Sequence, residues 1–145
     1  MITGRGFDHK FTETIVLIGE CALQRCGLTS QLSDVLQAST LCVGLDECYA
    51  IYVTYYFNPW AHITEFTKPS PENPLVLEPI PERALIEYII FLEHFNEGIL
   101  IEGLKNYAYE NSNDFSKLYS MADYYGIKHS LVEHWINEAL NDEEE

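Results

Sequence analysis

Apolar and polar positions along the chain fall into short blocks, and the spacing inside each block predicts its element. In "FTETIVLIGECAL" (11–23) the β-branched Thr12, Thr14, Ile15 and Val16 favour a strand leading into a helical "ECALQR". Phe11, Ile15, Ile18 and Ala22 also fit helical spacing, so a helix is the alternative there. Gly27 breaks the chain. "TSQLSDVLQAS" (29–39) predicts a helix capped by Thr29 or Ser30, with Leu32, Val35 and Leu36 on one apolar face. "ECYAIYVTYYF" (47–57), dense in tyrosine and β-branched residues and ended by Asn58 and Pro59, predicts a strand, with a helix as the fallback.

Residues 66–83 carry Pro69, Pro71, Pro74, Pro79 and Pro81, so this stretch is expected to be extended and loop-like, with "LVLE" a short strand. Pro81 suits the first turn of a helix, with Glu82 near its positive end. "ERALIEYIIFLEHF" (82–95) is apolar nearly all round, which predicts a helix in the middle of a domain. Gly98 and a short apolar "ILIE" follow, and "NYAYENSN" reads as a polar loop. "DFSKLYSMADYY" (114–125) predicts a helix with Phe115, Leu118, Ala122 and Tyr125 on one side. Gly126 makes a corner. "SLVEHWINEAL" (130–140) then begins with Ser130 and Glu133 at capping-box spacing, and its stripe is Leu131, Val132, Trp135, Ile136, Ala139 and Leu140.

The chain has 145 residues, enough for one domain with a real core, and no composition break or repeat marks a second. A 47% hydrophobic content excludes a disordered or fibrous chain. No run of 18 apolar residues occurs and no signal region opens the chain, so a soluble protein of the cytoplasm or nucleus, without membrane contact, is the expectation. Formal net charge changes the picture most: it is −15, from 23 acidic against 8 basic residues. Nucleic-acid binders draw most of their affinity from clustered Lys and Arg against phosphate, and here the cations are scattered singly. Nucleic acid is therefore a poor partner. The acidic tail 141–145 reads as a solvated end.

Candidate chemistry adds little. Cys21, Cys26, Cys42 and Cys48 lack zinc spacing and read as buried free thiols. His129 and His134 are five apart, whereas a metalloprotease helix needs four to turn both toward one metal. His9, His62 and His94 have no visible partners. The early "GRG" lacks the remainder of a dinucleotide loop, and neither a Walker loop nor a nucleophile elbow occurs. Neither a catalytic constellation nor a metal or cofactor site is expected, and the chain does not read as an enzyme. Tyr49, Tyr52, Tyr55 and Tyr56 would suit base stacking, but with so few cations nearby they read as core packing or a protein interface.

The segment "MADYYGIKHSLVEHW" (121–135) fits a helix-turn-helix locally, through Ala122, Gly126, Ile127, Val132 and Trp135. Its recognition helix would present Ser130, Glu133, His134, Asn137 and Glu138, an acidic face that opposes a phosphate backbone. A second resemblance spans most of the chain. "DFSKLYSMADYYGIKHSLVEHWINEAL" resembles the late helical pair of the BTB/POZ superfamily. "LVLEPIPERALIEYIIFLEHFNEG" is similar to that family's short strand, proline-containing entry and central helix. "TIVLIGECALQRCGLTSQLSDVL" is similar to its early strand and following helix, with a few extra residues after Ala22. The three blocks occur in family order, and the nearest flavour is that of the small adaptors of cullin–RING ubiquitin ligases, elongin C and the SCF adaptor subunit.

The resemblance implies an α/β (α+β) BTB/POZ-like domain over 1–145: a short sheet, a cluster of helices and a helical C-terminal half. It also implies a non-enzymatic adaptor with cullin-like and substrate-receptor-like partners, and it leaves a homodimer open. In that family the corner between the last helices contacts the cullin through an Asn followed by Tyr or Phe. Here the pair is Asp123 and Tyr124, so Tyr124 matches and Asp123 departs. Leu131 and Trp135, with Val132, are implied as lining for a receptor groove or as plain core. The chain stops soon after Leu140, short of the extra helices with which the SCF adaptor grips F-box proteins, and residues 43–70 form a tyrosine-rich insertion without a family counterpart. A small acidic inhibitor or nucleic-acid mimic of a basic protein is the alternative reading, and a helix-turn-helix regulator the second.

Overall fold

The computed structural model describes residues 15–30, 36–40, 53–60 and 65–142. They form a mixed α/β structure whose C-terminal half is mostly helical. The strands are β1 (Ile15–Leu17), β2 (Leu36–Thr40), β3 (Val53–Phe57), β4 (Thr67–Pro69) and β5 (Val76–Pro79), in the sheet order β3-β2-β1-β5-β4. β1 is central because its residues can be covered on both faces: Val16 and Leu17, with the following Ile18, have no exposed surface. Burying each such side chain contributes about 1.5–3 kcal/mol. β1 runs antiparallel to β2, pairing Val16 with Ser39, and parallel to β5, pairing Ile15 with Val76. β3 lies parallel to β2 on one edge, and β4 antiparallel to β5 on the other. The described parts of the tyrosine-rich insertion thus supply both edge strands; its residues 43–52 lie outside the described residues, as does 61–64.

Helix α1 (Gly19–Arg25) leaves β1 through Gly19, whose φ is +72°. A Cβ there would sit 2.7 Å from the Phe95 ring, so both the backbone and the close approach require glycine. The strand-into-helix expectation for this block holds where it is described, while Phe11, Thr12 and Thr14 lie outside.

The helix expected over 29–39 is a correction. Leu36–Thr40 is a strand, with Leu36, Gln37, Ala38 and Ser39 all buried. Leu, Gln and Ala favour helices locally, but here pairing on both sides, to β1 and β3, overrides propensity. Thr29 and Ser30 do not cap a helix within the described residues. Thr29 Oγ1 instead donates to Glu102 at 2.7 Å, and Ser30 N–H approaches the same carboxylate at 3.4 Å. Residues 31–35 lie outside the described ones. The strand expected over 47–57 is present over Val53–Phe57, and Val76–Pro79 overlaps the expected "LVLE" strand.

Helix α2 (Pro81–Ile90) starts with Pro81 in its first turn, and everything from Arg83 to Ile89 is buried, as the all-round apolar pattern predicts. It ends earlier than expected, passing into a 3-10 turn at Leu92–His94. Helix α3 (Glu97–Glu110) opens at Asn96, whose side chain accepts from Ile99 N–H at 3.2 Å. This helix corrects the loop expected at "NYAYENSN": residues 106–110 are helical. Leu100, Gly103, Leu104, Tyr107 and Ala108 are its buried residues, an i, i+3, i+4, i+7, i+8 stripe that the intervening polar residues hide.

Helix α4 (Ser116–Tyr125) buries Leu118, Ala122 and Tyr125, with Phe115 half-buried just ahead of it. Gly126, at φ +72°, closes the helix: its N–H donates to Asp123 O at 3.1 Å and Ile127 N–H to Ala122 O at 2.8 Å, the paired bonds of a Schellman turn. Helix α5 (His129–Asp142) then packs against α3, while α2 packs against α4. Ser130 is already the second residue of α5, so it is not the N-cap that the Ser130–Glu133 spacing predicts. Of the acidic tail, Asn141 and Asp142 complete α5 and 143–145 lie outside the described residues. No described helix is long and apolar enough to cross a membrane.

Candidate functional site

Lys117, Ser120, Met121 and Tyr124 recur at i, i+3, i+4 and i+7 along α4, so helical geometry sets them on one stripe. The stripe is one wall of an open groove of about 280 Å³, and Phe66, Ile80 and Glu82 are the other. Two exposed aromatics dominate it: Tyr124 keeps 45% of its surface and Phe66 36%. Their rings meet edge to face, with centroids 5.2 Å apart at 83°. Phe66 takes a left-handed backbone, φ +65°. For a non-glycine residue that conformation costs about 1–2 kcal/mol. Its carbonyl is pinned by Ile80 N–H at 2.9 Å. Such a backbone persists only where its surroundings hold it in place.

The rim carries one charge of each sign. Glu82 accepts from Tyr107 OH at 2.6 Å, while Lys117 is exposed across the groove. Burial, with the Glu82 carboxylate beside it, pushes the Tyr107 hydroxyl well above the ordinary phenol range, so this phenol stays a donor. Apolar floor and polar rim together suit a protein contact.

Of the residues singled out from sequence, Tyr124 lines this groove. Asp123 is its neighbour but is turned to solvent, with its Oδ1 2.7 Å from His129 Nε2 across the Gly126 corner. Leu131 (41% exposed) and Trp135 lie on α5 and do not line the groove. Trp135 is half-buried against the core with its ring 4.9 Å from that of His134, and Val132 is fully buried. Of the two readings left open for Val132, its position is that of core packing. Phe66, Ile80 and Met121 were not legible as site residues. Phe66 sits in a proline-rich stretch without periodicity, whereas the α4 stripe was available in the spacing from Lys117 to Tyr124.

Tyr56 packs against Phe95 at 5.2 Å and His94 at 5.5 Å. Tyr49, Tyr52, His9, His62, Cys42 and Cys48 lie outside the described residues, and of the Tyr55 side chain nothing is described. Cys21 and Cys26 are free thiols, the first buried and the second half-buried. Among the described residues no three His, Cys, Asp or Glu side chains are grouped as metal ligands would be. On α5, Ser130, Glu133, His134, Asn137 and Glu138 are all exposed, which gives a DNA backbone an acidic face. Neither the protein-family models nor the curated proteins compared with the sequence match it.

Proposed function

We propose that the chain is a BTB/POZ-like, non-enzymatic adaptor that joins a substrate receptor to a cullin in a ubiquitin ligase of the cytoplasm or nucleus. The observation that carries this reading is the exposed Phe66–Tyr124 pair over the α4 groove. It lies at the corner where the sequence resemblance implies a cullin contact. Aromatic anchors ringed by polar residues are where interface energy concentrates. Asp123 is committed to His129 rather than offered like the family's Asn, so Tyr124 is the anchor and Asp123 contributes charge. Leu131, exposed on the first turn of α5, belongs to a separate surface suited to a receptor.

The test is a pull-down of a cullin N-terminal region by the purified protein. Wild type retains it, and Tyr124→Ala weakens binding by about tenfold or more, the loss expected of a central aromatic anchor. Failure to bind any cullin from the cell in which the protein acts removes the ligase reading. The net charge of −15 favours one rival, an acidic mimic that occupies a basic protein's nucleic-acid site. That rival's complex weakens steeply with added salt and is indifferent to Tyr124→Ala.

A further inference from the structure

The groove wall that carries Phe66 is fastened from beneath by a buried charge network. Arg83 and Glu87, one turn apart on α2, are both fully buried and paired, Nε to Oε2 at 3.2 Å. The rest of the Arg83 fork leaves the helix. Nη1 donates to Glu65 O at 2.8 Å and Nη2 to Trp60 O at 3.2 Å. Glu87 Oε2 also receives Tyr125 OH at 2.7 Å and Asn58 Nδ2 at 3.2 Å. Asn58 in turn accepts from Trp60 N–H at 2.9 Å, and the Trp60 ring packs on Tyr125 at 5.0 Å. One guanidinium and one carboxylate therefore tie residues 58, 60 and 65 to α2 and to the end of α4. Tyr125 and Glu65 are the chain neighbours of the two groove aromatics.

Stability alone does not explain this network. A buried ion pair exchanged for well-packed apolar residues is often neutral or stabilising, because desolvation offsets the attraction. Strained backbone such as that of Phe66 persists only where its surroundings over-determine it. We infer that Arg83 and Glu87 are positioning residues of the groove: they set the strained Phe66 against Tyr124 and so build the docking wall before a partner arrives. Only a planar fork can reach one carboxylate and two carbonyls in different directions; a lysine ammonium cannot. The inference rests on the proposed use of the groove for docking, but its geometry can be read without a partner.

The test compares wild type with Arg83→Met/Glu87→Leu, which removes both charges while keeping bulk, and with Arg83→Lys, which keeps the charge and loses the fork. Three readouts on the free protein decide it: the nuclear Overhauser contact between the Phe66 and Tyr124 rings, the methyl resonance of Met121 in the groove, and hydrogen exchange at the Ile80 amide. In both variants the ring contact is lost, the Met121 methyl shifts, and Ile80 exchanges at least about tenfold faster, while β1 and α3 amides keep their protection. A folded double variant with the ring contact and Ile80 protection unchanged overturns the inference, since a purely structural pair is replaceable. The cullin pull-down with the same variants separates the two claims. A wild type that binds no cullin while the geometric changes occur sinks the adaptor reading and leaves the positioning role standing.

Discussion

Cys21 sits where its thiol has no route to water. Its Sγ lies 3.4 Å from Ile18 O and 3.3 Å from Gln37 O, and burial pushes the thiol up to about 12. Burial also pushes Cys26 up to about 12, with Glu78 adding to it. Thiolate is the reactive form, so both are inert at neutral pH. In a Cys42→Ser/Cys48→Ser background, a chromogenic disulfide reagent should react with neither thiol in the native protein and with both on unfolding. Rapid native reaction would contradict the packing described around α1. Glu87 makes a pH prediction. Burial raises its carboxyl above the ordinary value, although Arg83, Tyr125 and Asn58 pull the other way. A raised carboxyl favours the protonated native form, so its contribution is complete below the ordinary pKa and is lost as pH rises through the raised one. The stability of wild type relative to Glu87→Gln should therefore fall as pH rises above the ordinary carboxylate range in urea unfolding. A difference that grows with pH would mean that the hydrogen-bond donors around Oε2 win over desolvation.

The elements separate what local chemistry dictates from what the sheet imposes. The Gly126 corner and the buried face of α4, Leu118, Ala122 and Tyr125, were legible because turn chemistry and 3.6-residue periodicity are local, and so was α2, with Pro81 at its start. β2 was not: its composition favours a helix, and only β1 and β3, brought to either side by the fold, make it a strand. The second half of α3 was hidden because Tyr107 and Ala108 continue its buried stripe through polar neighbours. Phe66 was illegible for a deeper reason, since its partner Tyr124 is far along the chain and its backbone is held by Ile80. Two glycines with a left-handed backbone, Gly19 and Gly126, offer a graded test. Nothing lies within 4 Å of a Cβ at Gly126, so Gly126→Ala meets only the left-handed backbone, a cost of about 1–2 kcal/mol. Gly19→Ala meets that cost and the Phe95 ring besides, and should be the more destabilising of the two by urea unfolding. The reverse order would show that α1 does not approach Phe95 as described.

At the scale of the whole molecule, the proposed adaptor role assigns the −15 charge to how partners arrive and the groove to how they stay. Charge acts chiefly on association rate and on rejection of other polyanions, so added salt should slow binding of a basic partner more than it hastens dissociation. Aromatic burial acts on dissociation, so on the proposed reading Tyr124 and Phe66 belong to that step. The measurement that bears most directly on the adaptor claim is a titration of the protein with a cullin N-terminal region, using wild type, Tyr124→Ala and Leu131→Ala at physiological salt. The account predicts saturable binding by wild type, a loss of about tenfold or more for Tyr124→Ala, and little change for Leu131→Ala, which lies off the groove. Equal affinity in Tyr124→Ala and wild type, or no binding by any of the three, would contradict it.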